Sequence, residues 1–365
     1  MMEAARRALE QMRGSPDAWH TVRYERVTGP DGYDRDGNAA RRAAVLWALQ
    51  YDHRVEDLAL VRWLAEQEAR CRREAPFQGL TEETELAGFL LALLGQVEDV
   101  WRQWEIKRAN FDTWCGYDVE HLAAAGVQRT IAFVRGSEHS ERDDVLERLL
   151  GLDEEDLSGW WESSRSRFPA DPDAEDPLTW IGRAKLADEL DLARRWLDRW
   201  AAGRPRDKST LSELRYQLAD LGAFDEAAAA QREALAYAGN AWDSASGRRS
   251  LAELERRAGH HDAAWEALRA CRRALDDVPG WSEVGLGRMY VEELFLLAGA
   301  ASAALTRTVF DEADRQAGSV GDLPLVVLRA AAEAAEKAGR DDRARHYRTL
   351  RDAEQRRIEA ELPRF

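Results

Sequence analysis

Four short turns of one composition recur along the C-terminal half of this chain, and they constrain its fold more than any other feature. They read Leu221-Gly222-Ala223-Phe224-Asp225-Glu226-Ala227, Ala258-Gly259-His260-His261-Asp262-Ala263-Ala264, Ala298-Gly299-Ala300-Ala301-Ser302-Ala303-Ala304 and Ala338-Gly339-Arg340-Asp341-Asp342-Arg343-Ala344. The glycines at 222, 259, 299 and 339 stand 37, 40 and 40 residues apart. A glycine that accepts a left-handed backbone closes a helix, and the small residue five positions on lets the next helix lie close to it. Apolar residues at helical spacing run from Ala39 to the end of the chain. Ala, Leu, Arg and Glu, the strong helix formers, dominate the text, and runs of Val, Ile and Thr are few. These features predict an all-α chain of antiparallel helix hairpins.

The turn resembles the middle of a tetratricopeptide repeat, where Gly-x-[aromatic]-x-x-Ala joins the two helices of a hairpin. The best match runs from Gly222 to Leu235, with Gly222, Phe224, Ala227, Ala234 and Leu235 at small and apolar positions of that repeat. An upstream cousin lies in Leu86 to Val100, where either Gly88 or Gly95 takes the glycine's place and Trp104 a later aromatic one. Weaker turns of the same kind fall at Asp52-His53, Ala125-Gly126 and Asp188-Glu189. The likeness is clearest over 180–365 and weaker over 39–150. The spacings exceed the roughly 34 residues of that repeat, and its terminal proline is mostly missing. The resemblance implies a tetratricopeptide-like solenoid, an α-α superhelix with a concave groove for a protein or peptide.

Four regions are expected: an N-terminal helix and loop (1–38), a helical-hairpin region (39–162), a proline-containing linker (163–178) and C-terminal repeats (179–365). Residues 2–13 read as an amphipathic helix, followed by loop as far as Asn38 with turns at Gly29-Pro30-Asp31-Gly32 and Asp34-Arg35-Asp36-Gly37. The second turn resembles a calcium loop, but Gly32 and Ala43 stand where its first acid and its bidentate Glu belong, so a solvated turn is expected. Pro169, Pro172 and Pro177 disfavour helix in the residues before them. The last helix, Asp341 to Leu362, is charged enough to serve as a solvated cap.

A formal net charge of −16 argues against binding phosphate backbones and leaves a basic protein as a natural partner. Cys71, Cys115 and Cys271 are far apart and form no CxxC, which fits reduced thiols and a cytoplasmic protein. The N-terminus has no apolar run of a secretory signal, and no window nears the ~18 apolar residues of a membrane span. No cofactor is expected, since GxxxxGK[ST], HExxH and GxSxG are absent.

One stretch stands apart from the repetitive text. Between Trp101 and Gly126 the chain gathers three Trp with Phe111, Tyr117, Cys115, His121, Asn110, Asp112 and Asp118. Cys115, Asp118 and His121 are three residues apart, so on a helix they would share a face and support a thiolate–imidazole pair or half a zinc site. The second Cys or His of a closed zinc site is missing locally, so no metal ligand or catalytic residue is assigned. Lys107, one of four lysines, lies near Asn110, Asp112 and Asp118, a polar group that would either grip a peptide or cap a non-standard connection. His260-His261 sits in a repeat turn and carries no metal expectation, and most of the 14 Trp are expected to pack between helices.

The leading expectation is a binder of a protein or peptide, with Trp101, Trp104, Lys107, Asn110, Phe111, Asp112, Trp114, Tyr117, Asp118 and His121 as contact residues. One version is an immunity or inhibitor protein that neutralises a basic toxin or enzyme, drawn to it by charge. The alternative is an enzyme or small-molecule sensor with its site between Asn110 and His121. A closed pocket there would favour the second reading and an open groove the first.

Overall fold

A computed structural model describes residues 1–29, 32–75, 77 and 79–361. Pro30 and Asp31 of the expected first turn, and Leu362 of the expected last helix, lie outside the described residues. Among the described residues are nineteen α-helices and one two-stranded hairpin, so the fold is all-α. No helix is long and apolar enough to cross a membrane among the described residues. The chain divides into two compact units, Met1–Trp196 and Leu197–Phe365.

The first unit opens with α1 (Met2–Gly14) and a 3-10 turn (Pro16–Val22). Where the sequence reads as loop, β1 (Arg26–Thr28) pairs antiparallel with β2 (Asp34–Asp36), Val27 opposite Arg35. The cause lies further along the chain. Asp36 is buried, accepts from the amides of Glu25 and Asn38 at 3.1 and 2.9 Å, and pairs with Arg42 at 2.6 Å. Arg42, itself fully buried, also donates to Glu68 at 2.6 Å. The Asp-x-Asp expected as a solvated turn is therefore one end of a buried ion network.

Eight helices follow in the first unit: α2 (Ala39–Tyr51), α3 (Leu58–Glu74), α4 (Glu82–Leu94), α5 (Val100–Lys107), α6 (Phe111–Gly116), α7 (Val127–Arg135), α8 (Arg142–Leu149) and α9 (Glu154–Arg167). Then come α10 (Pro177–Leu186) and α11 (Leu190–Ala201), the latter holding the division between the units. Helix α1 packs on α2, α2 on α4, α3 on both α4 and α5, and α7 on α8. Leu46, Trp47, Leu64, Leu90 and Ile106 meet in their core. The proline-bearing stretch 163–178 lies within this unit, and its Glu175 is buried. Glu175 accepts from Gln50 at 3.0 Å and Tyr51 at 2.7 Å, while Arg183 donates to the same two side chains at 2.6 and 2.7 Å. Asp176 then caps α10 by accepting from the Leu178 amide, with Pro177 in the first turn, where no donor is needed.

The second unit repeats one motif. Helices α12 (Lys208–Asp220) and α13 (Phe224–Ala234), α14 (Ala241–Arg257) and α15 (His261–Leu275), α16 (Gly285–Ala300) and α17 (Ala303–Ala317), and α18 (Leu325–Lys337) and α19 (Asp341–Glu361) pair as hairpins. Each hairpin packs on the next: α13 on α14, α14 on α16, α16 on α18. Gly222, Gly259 and Gly339 take φ of 75°, 85° and 71°. The residue after each glycine bonds back to the helix it closes, Ala223 to Leu218, His260 to Glu255 and Arg340 to Ala335, all at 2.8 Å.

One expected turn departs from the sequence reading, and one of the weaker turns holds. Gly299 lies inside α16, which runs on to Ala300, and the Thr306 hydroxyl at 3.1 Å serves the Ala298 and Ala301 carbonyls instead. Asp188, with φ of 58° and a Glu189-to-Ala184 bond of 2.8 Å, makes the glycine-type turn without a glycine, 34 residues before Gly222. Of the two upstream candidates, Gly95 (φ 63°) closes α4, while Gly88 lies within α4 beneath the Tyr117 hydroxyl.

Candidate functional site

The ten contact residues expected from the sequence fall into two groups, one built into the fold of the first unit and one on its surface. Asn110 is the N-cap of α6: its side chain accepts from the Thr113 amide at 2.8 Å and donates to the Arg72 carbonyl at 3.1 Å. Lys107 closes the other end of that helix, donating to the carbonyls of Trp114 and Tyr117 at 2.6 Å each. Burial pushes the Lys107 ammonium below its usual range.

Tyr117 is fully buried, and its hydroxyl bonds Gln103, whose amide donates to the Gly88 carbonyl at 2.8 Å. Its ring stacks on His121 at 4.2 Å, and His121 meets the edge of Trp160 at 4.7 Å. Burial holds the His121 imidazole down to about 3, so it is neutral at physiological pH. Trp104 is buried and donates to Glu141 at 3.0 Å. Trp101 is half-buried, stacked on His139 at 3.9 Å.

Phe111, Asp112, Trp114 and Asp118 face solvent, Phe111 being 77% exposed. The Arg148 guanidinium lies 4.6 Å from the Trp114 ring centre. Asp118 accepts from Trp160 at 3.2 Å and lines an open depression with Glu120, Asp153, Glu155 and Asp156.

The expected common face of Cys115, Asp118 and His121 does not form. Helix α6 ends at Gly116, and Tyr117 and Asp118 are extended, so a spacing of three is no longer a helical one. Cys115 stands in solvent while His121 is buried. Among the described residues, no group of three or more His, Cys, Asp or Glu is arranged to hold a metal ion.

A second surface, in the second unit, was not read from the sequence. Gln231 of α13 donates to the Gly247 carbonyl of α14 at 3.0 Å, and a Cβ at Gly247 would come within 2.8 Å of Leu235. The two helices therefore meet closely at Gly247. Above that contact a groove opens, walled by Lys208, Ser212 and Arg215 of α12 and by Trp242, Ser246 and Ser250 of α14. Each set recurs at helical spacing, so each presents one face. Past Ala238 a second depression holds Asn240, the N-cap of α14, with Ser244 and Arg248 of that helix and Arg273 of α15. The signal lay in the text: Ser246-Gly247 and Ser250 interrupt an Ala/Leu/Arg/Glu helix, and Lys208 is a rare lysine. Comparison with models of protein families and with curated proteins returned no match to this chain.

Proposed function

We propose that this chain is a protein- or peptide-binding protein built from tetratricopeptide-like hairpins, and that its binding surface is the groove over α12 and α14. The observation that carries this reading is the groove itself: open to solvent, floored by small residues and flanked by a Trp242 ring that is 45% exposed. Aromatic and Arg side chains beside small ones are what interfaces use as anchors. The hairpin-on-hairpin packing of the second unit supports the same reading, because stacked repeats present continuous grooves. The enzyme or sensor reading has less support. It needs a closed pocket around Cys115, Asp118 and His121, whereas Asp118 lines an open depression and His121 a separate small cavity.

The depression lined by Asp118, Glu120, Asp153, Glu155 and Asp156 favours a second version of the binder. In that version the chain is a cytoplasmic immunity or inhibitor protein, and the acidic face draws in a basic toxin or enzyme.

Affinity capture with three baits tests the proposal: wild type, Ser246→Arg to fill the groove, and Phe111→Ser with Trp114→Ser to strip the exposed aromatics. A stoichiometric partner held by wild type and the surface variant but lost from Ser246→Arg is the expected result. A partner lost only from the surface variant moves the site to α6. If all three baits hold the same partner equally, the groove is not the site.

A further inference from the structure

The first unit has a cavity of its own, well away in sequence from the stretch at 101–126. About 580 Å³ opens between the end of α1, the 3-10 turn that follows it and the start of α3. Its walls are largely apolar: Met12, Pro16, Trp19, Ala59 and Leu60. Met12 and Leu60 are buried members of the core behind it. Trp19 is fixed in place, because its indole nitrogen donates to the Met12 carbonyl at 2.9 Å and its ring lies 5.7 Å from that of Trp63. With its N–H spent in this way, Trp19 offers a visitor only the ring. A cavity of roughly 300–1,000 Å³ with apolar walls and a few polar groups has the form of a small-molecule site.

The charged groups at its edge indicate which kind of molecule fits. Arg13 lines the cavity, but its guanidinium is fully engaged. Nε and one terminal nitrogen donate to the two oxygens of Asp57 at 2.9 and 2.7 Å, and that terminal nitrogen also meets the Asp52 carbonyl. The other donates to Glu10 at 2.7 Å and to the Asp52 side chain at 2.8 Å. Arg54 donates to Asp52 at 3.1 Å and lies 3.5 Å from Glu10. Both guanidiniums are therefore already held by carboxylates. Glu56 differs: it is exposed, it lines the cavity, and its carboxylate has no ion pair among the described residues. Arg13 and Arg54 stand against Glu10, Asp52, Glu56 and Asp57, so acids outnumber cations around the opening.

We infer that this cavity binds a small organic cation, an ammonium group carried on an apolar body. The ammonium pairs with Glu56 and lies against the Trp19 ring, whose quadrupole attracts a cation. The apolar body covers Met12, Pro16 and Leu60, and that burial supplies the larger share of the affinity. A carboxylate of the same shape meets the surplus of acids and finds the Arg13 donors taken. The site lies in the first unit and is independent of the groove over α12 and α14, so either can fail without the other.

Three probes of one shape test the inference by ligand-observed NMR titration of the full chain: tryptamine, the neutral 3-ethylindole and the anionic indole-3-acetate. Each is titrated into wild type, Glu56→Gln, which removes the charge at constant size, and Ala59→Trp, which fills the cavity from the exposed first turn of α3. Circular dichroism checks that all three proteins keep their helicity. Tryptamine is expected to bind wild type most tightly and indole-3-acetate most weakly. Glu56→Gln should weaken tryptamine about fivefold, the size of an exposed ion pair, and leave 3-ethylindole unchanged. Ala59→Trp should abolish the binding of both. Tryptamine that binds no better than 3-ethylindole, or equally well to wild type and Glu56→Gln, overturns the preference for a cation. Binding that survives Ala59→Trp, or no binding of any probe at millimolar concentration, overturns the site itself.

Discussion

The two units solve the problem of packing helices in different ways. The second is held by a repeated turn, and its buried acids meet arginines that reach in from solvent: Glu255 is buried, but its partner Arg232 is 51% exposed. In the first unit some arginines are themselves inside. Arg42 is fully buried between Asp36 and Glu68, and Arg183 is buried beside Glu175, Gln50 and Tyr51. The formal charge differs as well. The first unit has 26 Lys and Arg against 39 Asp and Glu, leaving −13, and the second has 26 against 29, leaving −3. A repeated turn fixes helix geometry locally, whereas a non-repeating set of helices needs long-range contacts of its own. Buried ion networks supply directional ones in the first unit.

The largest effect should come from breaking one such network. Arg42→Met leaves the Asp36 and Glu68 carboxylates buried without their cation and should cost about 3–5 kcal/mol. Arg232→Met should cost about 1 kcal/mol or less, because water reaches that pair and His260 remains 3.1 Å from Glu255. Hydrogen exchange resolved along the chain separates the two, with protection expected to fall in α2 to α4 for the first variant and hardly at all in α13 and α14 for the second. Equal losses would remove the distinction between the units.

Within the first unit, acid–base titration gives a smaller effect. Burial, with help from Glu82, pushes the Glu83 carboxyl up to about 7. Its folded value exceeds its unfolded one, so its contribution to stability is present below about pH 4.5 and lost as pH rises through 7. His121 has the opposite sign: held down to about 3, it supports the fold above about pH 6.5 and ceases to as pH falls toward 3. The two partly cancel in wild type, so the difference between variants is the cleaner reading. Glu83→Gln should match wild type near pH 4 and exceed it at pH 8 by up to about 3 kcal/mol. Urea unfolding followed by exchange in α4 would show this gap, and a gap independent of pH would refute it.

Glycines sharpen the contrast further. A Cβ on Gly88 would collide with the Tyr117 hydroxyl, so Gly88→Ala should cost about 1–3 kcal/mol by overpacking. Gly222 has open space around it and a φ of 75°, so Gly222→Ala should cost about 1 kcal/mol through the backbone alone. Asparagine, which tolerates the left-handed region, should restore part of the loss at 222 and none at 88. Thermal unfolding of the four variants decides this.

How much could be read in advance follows the same division. The helix class and the hairpin turns of the second unit were legible because a left-handed closing residue leaves a local trace, Gly222, Gly259 and Gly339. Asp188 adopts that backbone without the glycine and left only a faint one. In the first unit, the strand of Asp34–Asp36 depends on Arg42, and the burial of Glu175 depends on Gln50, 125 residues away, together with Arg183. No local pattern encodes such pairings. The dense stretch at 101–121 was singled out for its side chains, but several of them serve the fold: a cap, a carbonyl clamp and an aromatic stack consume Asn110, Lys107, Tyr117 and His121. The groove over α12 and α14 leaves little trace in the sequence because its lining draws on serines and a glycine, residues that stand out only as interruptions.

That stretch supplies the smallest and most discriminating test. Asn110 caps α6 and also holds the Arg72 carbonyl, so Asn110→Ala should cost about 1 kcal/mol, the usual loss of an N-cap. Phe111 and Asp112 start the same helix but face solvent, and Phe111→Ser or Asp112→Ala should shift stability by less than about 0.5 kcal/mol. A triple variant that removes Asn110, Asp112 and Asp118 together would therefore confuse loss of fold with loss of contact, and the single variants keep the two apart. If Phe111→Ser leaves thermal unfolding unchanged and also leaves every captured partner in place, the exposed end of α6 is surface only, and the binding reading rests on the second unit alone. If instead Phe111→Ser destabilises as much as Asn110→Ala, its ring is packed, and this stretch belongs to the core of the first unit along its whole length.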